Sequence, residues 1–160
     1  VLDRVRRNWP EAATGLQPVV LYLYRARDQL YMDLEGVLDP WGLLPADLDV
    51  LGALRIQPPP WQMTPTDLYQ SLLLSSGGLT KILHRLQKAG LIERSVNPAD
   101  RRSRLVTLTV AGAELLNRAM HGVVEHERRF LEPLDEVEQE QLNRLLEKLV
   151  FAEEGGRRAG

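Results

Sequence analysis

Apolar residues recur at helical spacing along most of this chain, and the pattern breaks at a proline cluster and again in a β-branched stretch. In residues 18–37, Val20, Leu21, Leu23, Tyr24, Leu30, Tyr31 and Leu34 form an apolar surface wide enough for more than one neighbour. Gly36 and then Asp39-Pro40 end this helix. Beyond the short apolar connector Trp41-Gly42-Leu43-Leu44, Pro45-Ala46-Asp47 opens a second helix, with Leu48, Leu51 and Leu54 at three-residue spacing. Gln57-Pro58-Pro59-Pro60 interrupts the pattern, because consecutive prolines cannot continue a helix. A short helix over 65–72 follows: Thr64 suits its N-cap, Pro65 its first turn and Asp67 its positive dipole end. Ser75 or Ser76 caps the next, which runs to Ala89 and is closed by Gly90. Its buried stripe is Leu79, Ile82, Leu83 and Leu86, leaving Thr80, Lys81, His84 and Lys88 outside.

After Gly90 the period changes. Residues 91–96 and 104–109 read as two strands, separated by the polar tip Asn97-Pro98-Ala99-Asp100-Arg101-Arg102-Ser103. Thr109 caps a long helix over 110–131, which Glu132-Pro133 terminates. Asp135 and Glu138 match a capping box, opening a last helix that carries Leu142, Leu145, Leu146, Leu149 and Val150. The expected fold is mainly α with a small β-hairpin wing: a winged helix-turn-helix flanked by N- and C-terminal dimerisation helices. Residues 1–38 form the N-terminal helical part of the dimerisation region, 39–109 the winged domain, 110–152 the C-terminal dimerisation helices and 153–160 a flexible tail.

Charge sharpens this picture. Between residues 76 and 104, Lys81, Arg85, Lys88, Arg94, Arg101, Arg102 and Arg104 face two acids, Glu93 and Asp100, a local balance of +5. The remainder holds 13 basic and 20 acidic residues, so the net charge of -2 conceals a polarised molecule. Such asymmetry suits a protein that turns one face to a polyanion. The chain has no cysteine, which removes disulfides and thiolate metal sites, and His84, His121 and His126 lack zinc-ligand spacing. No metal or cofactor is expected. Gly77-Gly78 lacks the lysine and spacing of a phosphate-binding loop, and no nucleophile–base pair stands out, so an enzyme is not expected. No apolar run approaches the roughly 18 residues that span a bilayer, and no signal core follows the first residues. The expected location is the cytoplasm, without a membrane partner.

Two short helices followed by a basic hairpin suit double-stranded DNA. The second helix can enter a major groove, with Ser75 and Ser76 at its N-terminal end and Thr80, Lys81 and His84 on its outer face. Arg101 and Arg104 on the hairpin can approach a minor groove. Lys88 is either a solvated residue or a phosphate contact. Arg85 lies beside the buried stripe, so it either anchors the helix or touches DNA.

Residues 48–116 resemble the MarR family of bacterial regulators. The resemblance rests on Leu-Asp-Val-Leu at 48–51, Thr-Pro-Thr-Asp-Leu at 64–68 and Ser-Ser-Gly-Gly-Leu-Thr at 75–80. It continues through His-Arg-Leu-Gln-Lys-Ala-Gly-Leu-Ile-Glu-Arg at 84–94, Asp-Arg-Arg-Ser at 100–103 and Leu-Thr-Val-Ala-Gly at 108–112. It implies a repressor that binds a palindromic operator as a homodimer, with Ser75, Ser76, Thr80, Lys81, His84, Arg85, Arg94, Arg101, Arg102 and Arg104 toward DNA. It also implies that Asp100 and Arg102 pair in a salt bridge that shapes the wing, a structural role favoured here over base readout.

The outer helices carry more apolar surface than a winged domain of about 70 residues can cover, so a two-fold homodimer is expected, with Leu142, Leu145, Leu146 and Leu149 at its interface. A purely intramolecular core is the alternative. MarR-like proteins often bind small aromatic or phenolic molecules, and Trp9, Tyr24, Arg25, Trp41, Asp49, Arg55 and Trp61 are the candidates here; simple packing accounts for most of these aromatics individually. Trp9, Asp49 and Arg94 are similar to a urate-responsive branch of the family. That branch has arginine where this chain has Ile82, which implies a related but different effector. The rival to DNA binding is a winged-helix module that binds protein, against which the basic wing argues.

Overall fold

The computed structural model describes residues 2–13, 17–72, 76–100 and 102–152. Ser75, Arg101 and the tail 153–160 lie outside the described residues. Two compact units divide the chain, Val1–Val123 and Val124–Gly160.

In the first unit, helices α1 (Leu2–Asn8) and α2 (Pro10–Ala13) precede the first helix that the hydrophobic pattern announces. At seven and four residues they are too short to display an amphipathic period. Helix α3 (Pro18–Leu38) follows, with proline in its first turn, and a 3₁₀ turn over Asp39–Trp41 closes it. Helix α4 (Pro45–Arg55) is succeeded by strand β1 (Gln62–Met63), α5 (Pro65–Leu72), α6 (Ser76–Lys88), β2 (Ile92–Val96) and β3 (Arg104–Leu108). Helix α7 (Val110–Leu131) begins in the first unit and ends in the second, where α8 (Glu136–Phe151) follows.

The wing is a three-stranded antiparallel sheet in the order β1-β3-β2. Ile92 pairs with Leu108 and Val96 with Arg104, as a hairpin requires. Beside it, Gln62 pairs with Thr107 and Met63 with Val106. Two residues cannot show a period-two alternation, so this strand was invisible in the pattern. Between Pro60 and β1, Trp61 holds a left-handed backbone (φ 57), while its carbonyl accepts a hydrogen bond from the Leu108 N–H at 3.0 Å.

Leu38, Val50, Leu51, Leu54, Leu68, Leu83, Leu86, Ile92 and Val106 form the centre of the core, each almost wholly withdrawn from solvent. Burying each such side chain contributes roughly 1.5–3 kcal/mol relative to leaving it exposed. From α7 the core receives Ala113, Leu116, Ala119 and Val123, spaced three and four apart so that one helix face supplies them all.

Local hydrogen bonding explains where the elements stop. Gly90 takes φ 72, and the N–H groups of Leu91 and Gly90 donate to the carbonyls of Leu86 and Gln87, each at 3.0 Å. That is a Schellman closure, and it turns the chain from α6 into β2. Gly90→Ala should cost about 1 kcal/mol, the penalty of a Cβ in the left-handed region; a thermal melt will measure it. Thr109 performs the matching task at the start of α7. Its N–H donates to the Leu91 carbonyl (3.1 Å), its hydroxyl donates to the Gly90 carbonyl (2.8 Å), and the same oxygen accepts the Gly112 N–H (3.0 Å).

In the second unit, Asp135 and Glu138 form the reciprocal capping box: each side chain accepts the other's backbone N–H, at 2.9 and 3.0 Å. Glu125 receives hydrogen bonds from Arg128 and Arg129 at 2.9 Å, which hold its carboxyl down to about 2. No residue of α8 is buried. Leu145 and Leu149 are 62% and 60% exposed, with Leu142, Val150 and Phe151 exposed beside them.

Candidate nucleic-acid interface

The order of elements from α5 to β3 places a short helix, a second helix and a hairpin in succession. Thr64 caps α5: its hydroxyl oxygen accepts the Asp67 N–H at 3.1 Å and its hydroxyl donates to the Asp67 carboxylate at 2.7 Å. Helix α6 buries Leu79, Ile82, Leu83 and Leu86. By the helical period this leaves Thr80, Lys81, His84 and Lys88 on the outer face, and all four are exposed. Ser76 opens the helix, but its side chain is outside the described residues.

At the wing, the tip is organised by its own polar groups. The Asn97 side chain donates to Ser103 Oγ (2.9 Å) and accepts the Ala99 N–H (3.0 Å), and the Ser103 N–H donates to the Asp100 carbonyl (2.9 Å). The expected salt bridge between Asp100 and Arg102 does not form. Instead the Asp100 carboxylate accepts the backbone N–H of Arg102 at 3.0 Å, a two-residue turn that occupies the carboxylate locally and leaves the guanidinium exposed. Asp100 thus shapes the wing through the main chain.

Arg94, Arg102 and Arg104 line one cleft of about 920 Å³, whose other wall is the start of α5, from Thr64 to Asp67, with Gln87 of α6. Arg94 is half-buried, and its Nε is withdrawn from solvent without a hydrogen-bond partner. Among the described residues, Lys81, Lys88, Arg102 and Arg104 enter no ion pair. Four exposed cations on α6 and the wing therefore keep their charge uncompensated, the arrangement a polyanion requires.

Arg85 differs from these. Its Nη2 donates to Oδ1 of Asp47 at 2.6 Å and its Nε lies 3.2 Å from both carboxylate oxygens. Of the two roles open for it from sequence, the geometry supplies the anchor. Asp47 is 1% exposed, and its Oδ2 also accepts the Leu44 N–H at 2.9 Å, so one carboxylate caps α4 and ties it to α6. Sequence reasoning read Asp47 only as part of the start of α4 and missed its pairing, because its partner is 38 positions away and left no local signal.

The aromatic candidates fall into separate neighbourhoods. Arg55 stacks on Trp61 with its guanidinium carbon 4.6 Å from the ring centroid, and Arg118 covers Trp41 at 5.7 Å. Asp49 lies near Tyr31; burial pushes the Asp49 carboxyl up, and burial followed by the Asp49 charge pushes the Tyr31 phenol up, with Arg27 over its ring at 5.5 Å. Tyr24 and Arg25 are exposed on α3, and Trp9 is exposed beside Arg4, Val5 and Asn8 of α1. Ile82 is a core residue, 6% exposed. No group of three or more His, Cys, Asp or Glu among the described residues is arranged to hold a metal ion, and no described helix is long and apolar enough to cross a membrane.

Helices α5 and α6 with the sheet at their side define a winged helix-turn-helix protein. A model of the MarR family matches residues 41–103. Over 148 residues the chain is 32% identical to the HTH-type transcriptional regulator PecS of Dickeya dadantii, which spans 91% of this chain and 88% of PecS. A mutant of Escherichia coli MarR complexed with operator DNA superposes with a TM-score of 0.74 at 28% identity, covering 82% of this chain and 93% of that one. Bordetella bronchiseptica BpsR, solved to explain how 6-hydroxynicotinic acid regulates its DNA binding, gives 0.74 at 25% identity, covering 84% and 99%. The chain belongs to the MarR family: it is a transcriptional regulator and not an enzyme.

Proposed function

We propose that this regulator represses transcription by binding a palindromic operator as a homodimer, and that a small aromatic or phenolic ligand releases it. The observation that carries the DNA reading is the uncompensated charge of Lys81, Lys88, Arg102 and Arg104, exposed on α6 and the wing. Helix α6 enters the major groove with Thr80, Lys81 and His84 toward base edges, while Arg102 and Arg104 on the wing engage the backbone or the minor groove. Ser75, Ser76, Arg94 and Arg101 belong to the same assignment. Residues 39–109 read DNA in this scheme, and 1–38 with 110–152 hold two copies together. The tail 153–160 lies outside both.

The exposed stripe on α8 supports the homodimer. Leu142, Leu145, Leu146 and Leu149 repeat at three and four residues, and α8 has no buried residue, so its apolar face suits a second copy of the chain. A two-fold dimer presents two copies of α6 to a two-fold symmetric duplex. Leu145→Glu with Leu149→Glu should yield a monomer by sedimentation; a surviving dimer would remove α8 from the interface. Ligand release follows from a shift between spacings of the two reading heads. Its support is the set of arginine–aromatic neighbourhoods at Trp61, Trp41 and Tyr31.

The deciding experiment is duplex binding as a function of salt. Affinity should fall steeply with ionic strength, as displaced counterions require. Lys81→Ala combined with Arg102→Ala should weaken binding by about tenfold or more while the melting temperature stays within about a degree, since both side chains are exposed and neither enters an ion pair among the described residues. Binding indifferent to salt would sink the DNA assignment in favour of a protein partner.

A further inference from the structure

We propose that Asp47 and Arg85 are a positioning pair: they fix the roll of α6 about its own axis and thereby set how well the protein discriminates between DNA sequences. The inference rests on the DNA-binding reading above and goes beyond it, because neither residue need touch DNA for the pair to act.

At 100° per residue, the buried side chains Leu79, Ile82, Leu83 and Leu86 share one face, and Lys81, His84 and Lys88 cluster near the opposite one. Arg85 falls on the border between the two. A tether at the border resists rotation in a way that the leucines cannot, because apolar packing is non-directional. The far end of the tether is firm. Asp47 is buried in α4, and its second oxygen is held by the Leu44 N–H, so the carboxylate has little freedom to follow a turning helix. The near end is directional, with Nε and Nη2 of Arg85 both on the carboxylate, and a forked guanidinium fixes orientation as well as distance.

Small rotations matter at the outer face. Side-chain tips lie about 5–6 Å from a helix axis, so a roll of about 20° displaces them by about 2 Å. That exceeds the tolerance of a hydrogen bond to a base edge. A phosphate contact from a long lysine or arginine absorbs the same displacement, since a flexible stem can follow its target. Loosening the pair therefore removes sequence readout and spares general affinity.

The test uses the whole chain and two duplexes: one selected by the wild-type protein from a random pool, and a scrambled duplex of the same composition. The variants are Asp47→Asn, which keeps size and an acceptor for the Leu44 N–H, and Arg85→Lys, which keeps the charge and loses the fork. Affinities are taken well below the melting temperature of each variant, at one salt concentration. Both variants should bind the selected duplex about tenfold more weakly, the worth of one lost base contact, and the scrambled duplex within about twofold of wild type.

Equal weakening on both duplexes would overturn the proposal and leave the pair a purely structural contact. Unchanged discrimination would overturn it too. If Arg85 instead met DNA directly, Asp47→Asn would free it and strengthen binding on both duplexes, again against the proposal. A wild-type protein that selects no duplex would fail at an earlier step, the DNA-binding reading itself, and is distinguishable because no variant is then needed to see it.

Discussion

Gly112→Ala should destabilise the protein by about 3 kcal/mol or more, the upper range for forcing extra atoms into a packed interior. The reason is specific to this position. Gly112 lies in the first turn of α7, against the strand-entry residue Leu91, and a Cβ there would overlap the Leu91 carbonyl oxygen and crowd Leu108 Cδ1. The carbonyl cannot step aside cheaply, because it accepts the Thr109 N–H at 3.1 Å. Thr109 in turn bonds Gly90 and Gly112, so three segments share one closely packed junction: the end of α6, the start of β2 and the start of α7. A loss of about 3 kcal/mol corresponds to roughly 6–12 °C in Tm for a chain of this length. Calorimetry on purified Gly112→Ala will read it. A shift of less than about 2 °C would mean that α7 is free to slide away from β2. Gly122, whose added Cβ would meet only a side-chain methyl of Val37 at 3.0 Å, should tolerate alanine better and serves as the control.

Arg85→Ala is the second large effect, about 2–3 kcal/mol. Removing one partner of a buried ion pair leaves the other charged and unpaired, which costs about 3–5 kcal/mol when both are fully enclosed. Here the Arg85 side chain is 44% exposed and Asp47 only 1%. Truncating the arginine lets water toward the carboxylate and trims the penalty. The Leu44 N–H still supports Asp47, so α4 keeps its first turn. The measurement is a double-mutant cycle in urea with Asp47→Ala, in which the coupling energy should reach at least about 1 kcal/mol. Additive single losses would show that the two residues act separately.

The helices from α3 onward declared themselves in the sequence because their signals are local. Pro65 after Thr64, Gly90 after Ala89, and Asp135 with Glu138 each satisfy or end a helix using atoms within five residues, and the structure places caps and closures at those points. Burial on α6 was likewise legible from the spacing of Leu79, Ile82, Leu83 and Leu86. The candidate interface was legible as far as exposure goes, since Thr80, Lys81, His84 and Lys88 are what that stripe leaves over. At Asp100 the expectation failed for a local reason. A carboxylate two residues before an N–H has a backbone partner already within reach, and that bond costs less side-chain entropy than recruiting a guanidinium.

What the chain determined by itself is therefore the succession of the longer elements from α3 onward, the caps that bound them and the sorting of apolar from charged faces. These follow from backbone geometry over one or two turns. Only the tertiary structure decided that Gln62 and Met63 join the wing, that Gly112 lies against Leu91, and that Arg85 turns inward to Asp47 rather than outward. Each of these joins residues between 21 and 45 positions apart in pairs without periodicity. Their partners are chosen by packing, by the demand that a buried carboxylate find a donor and an unpaired strand edge find a neighbour.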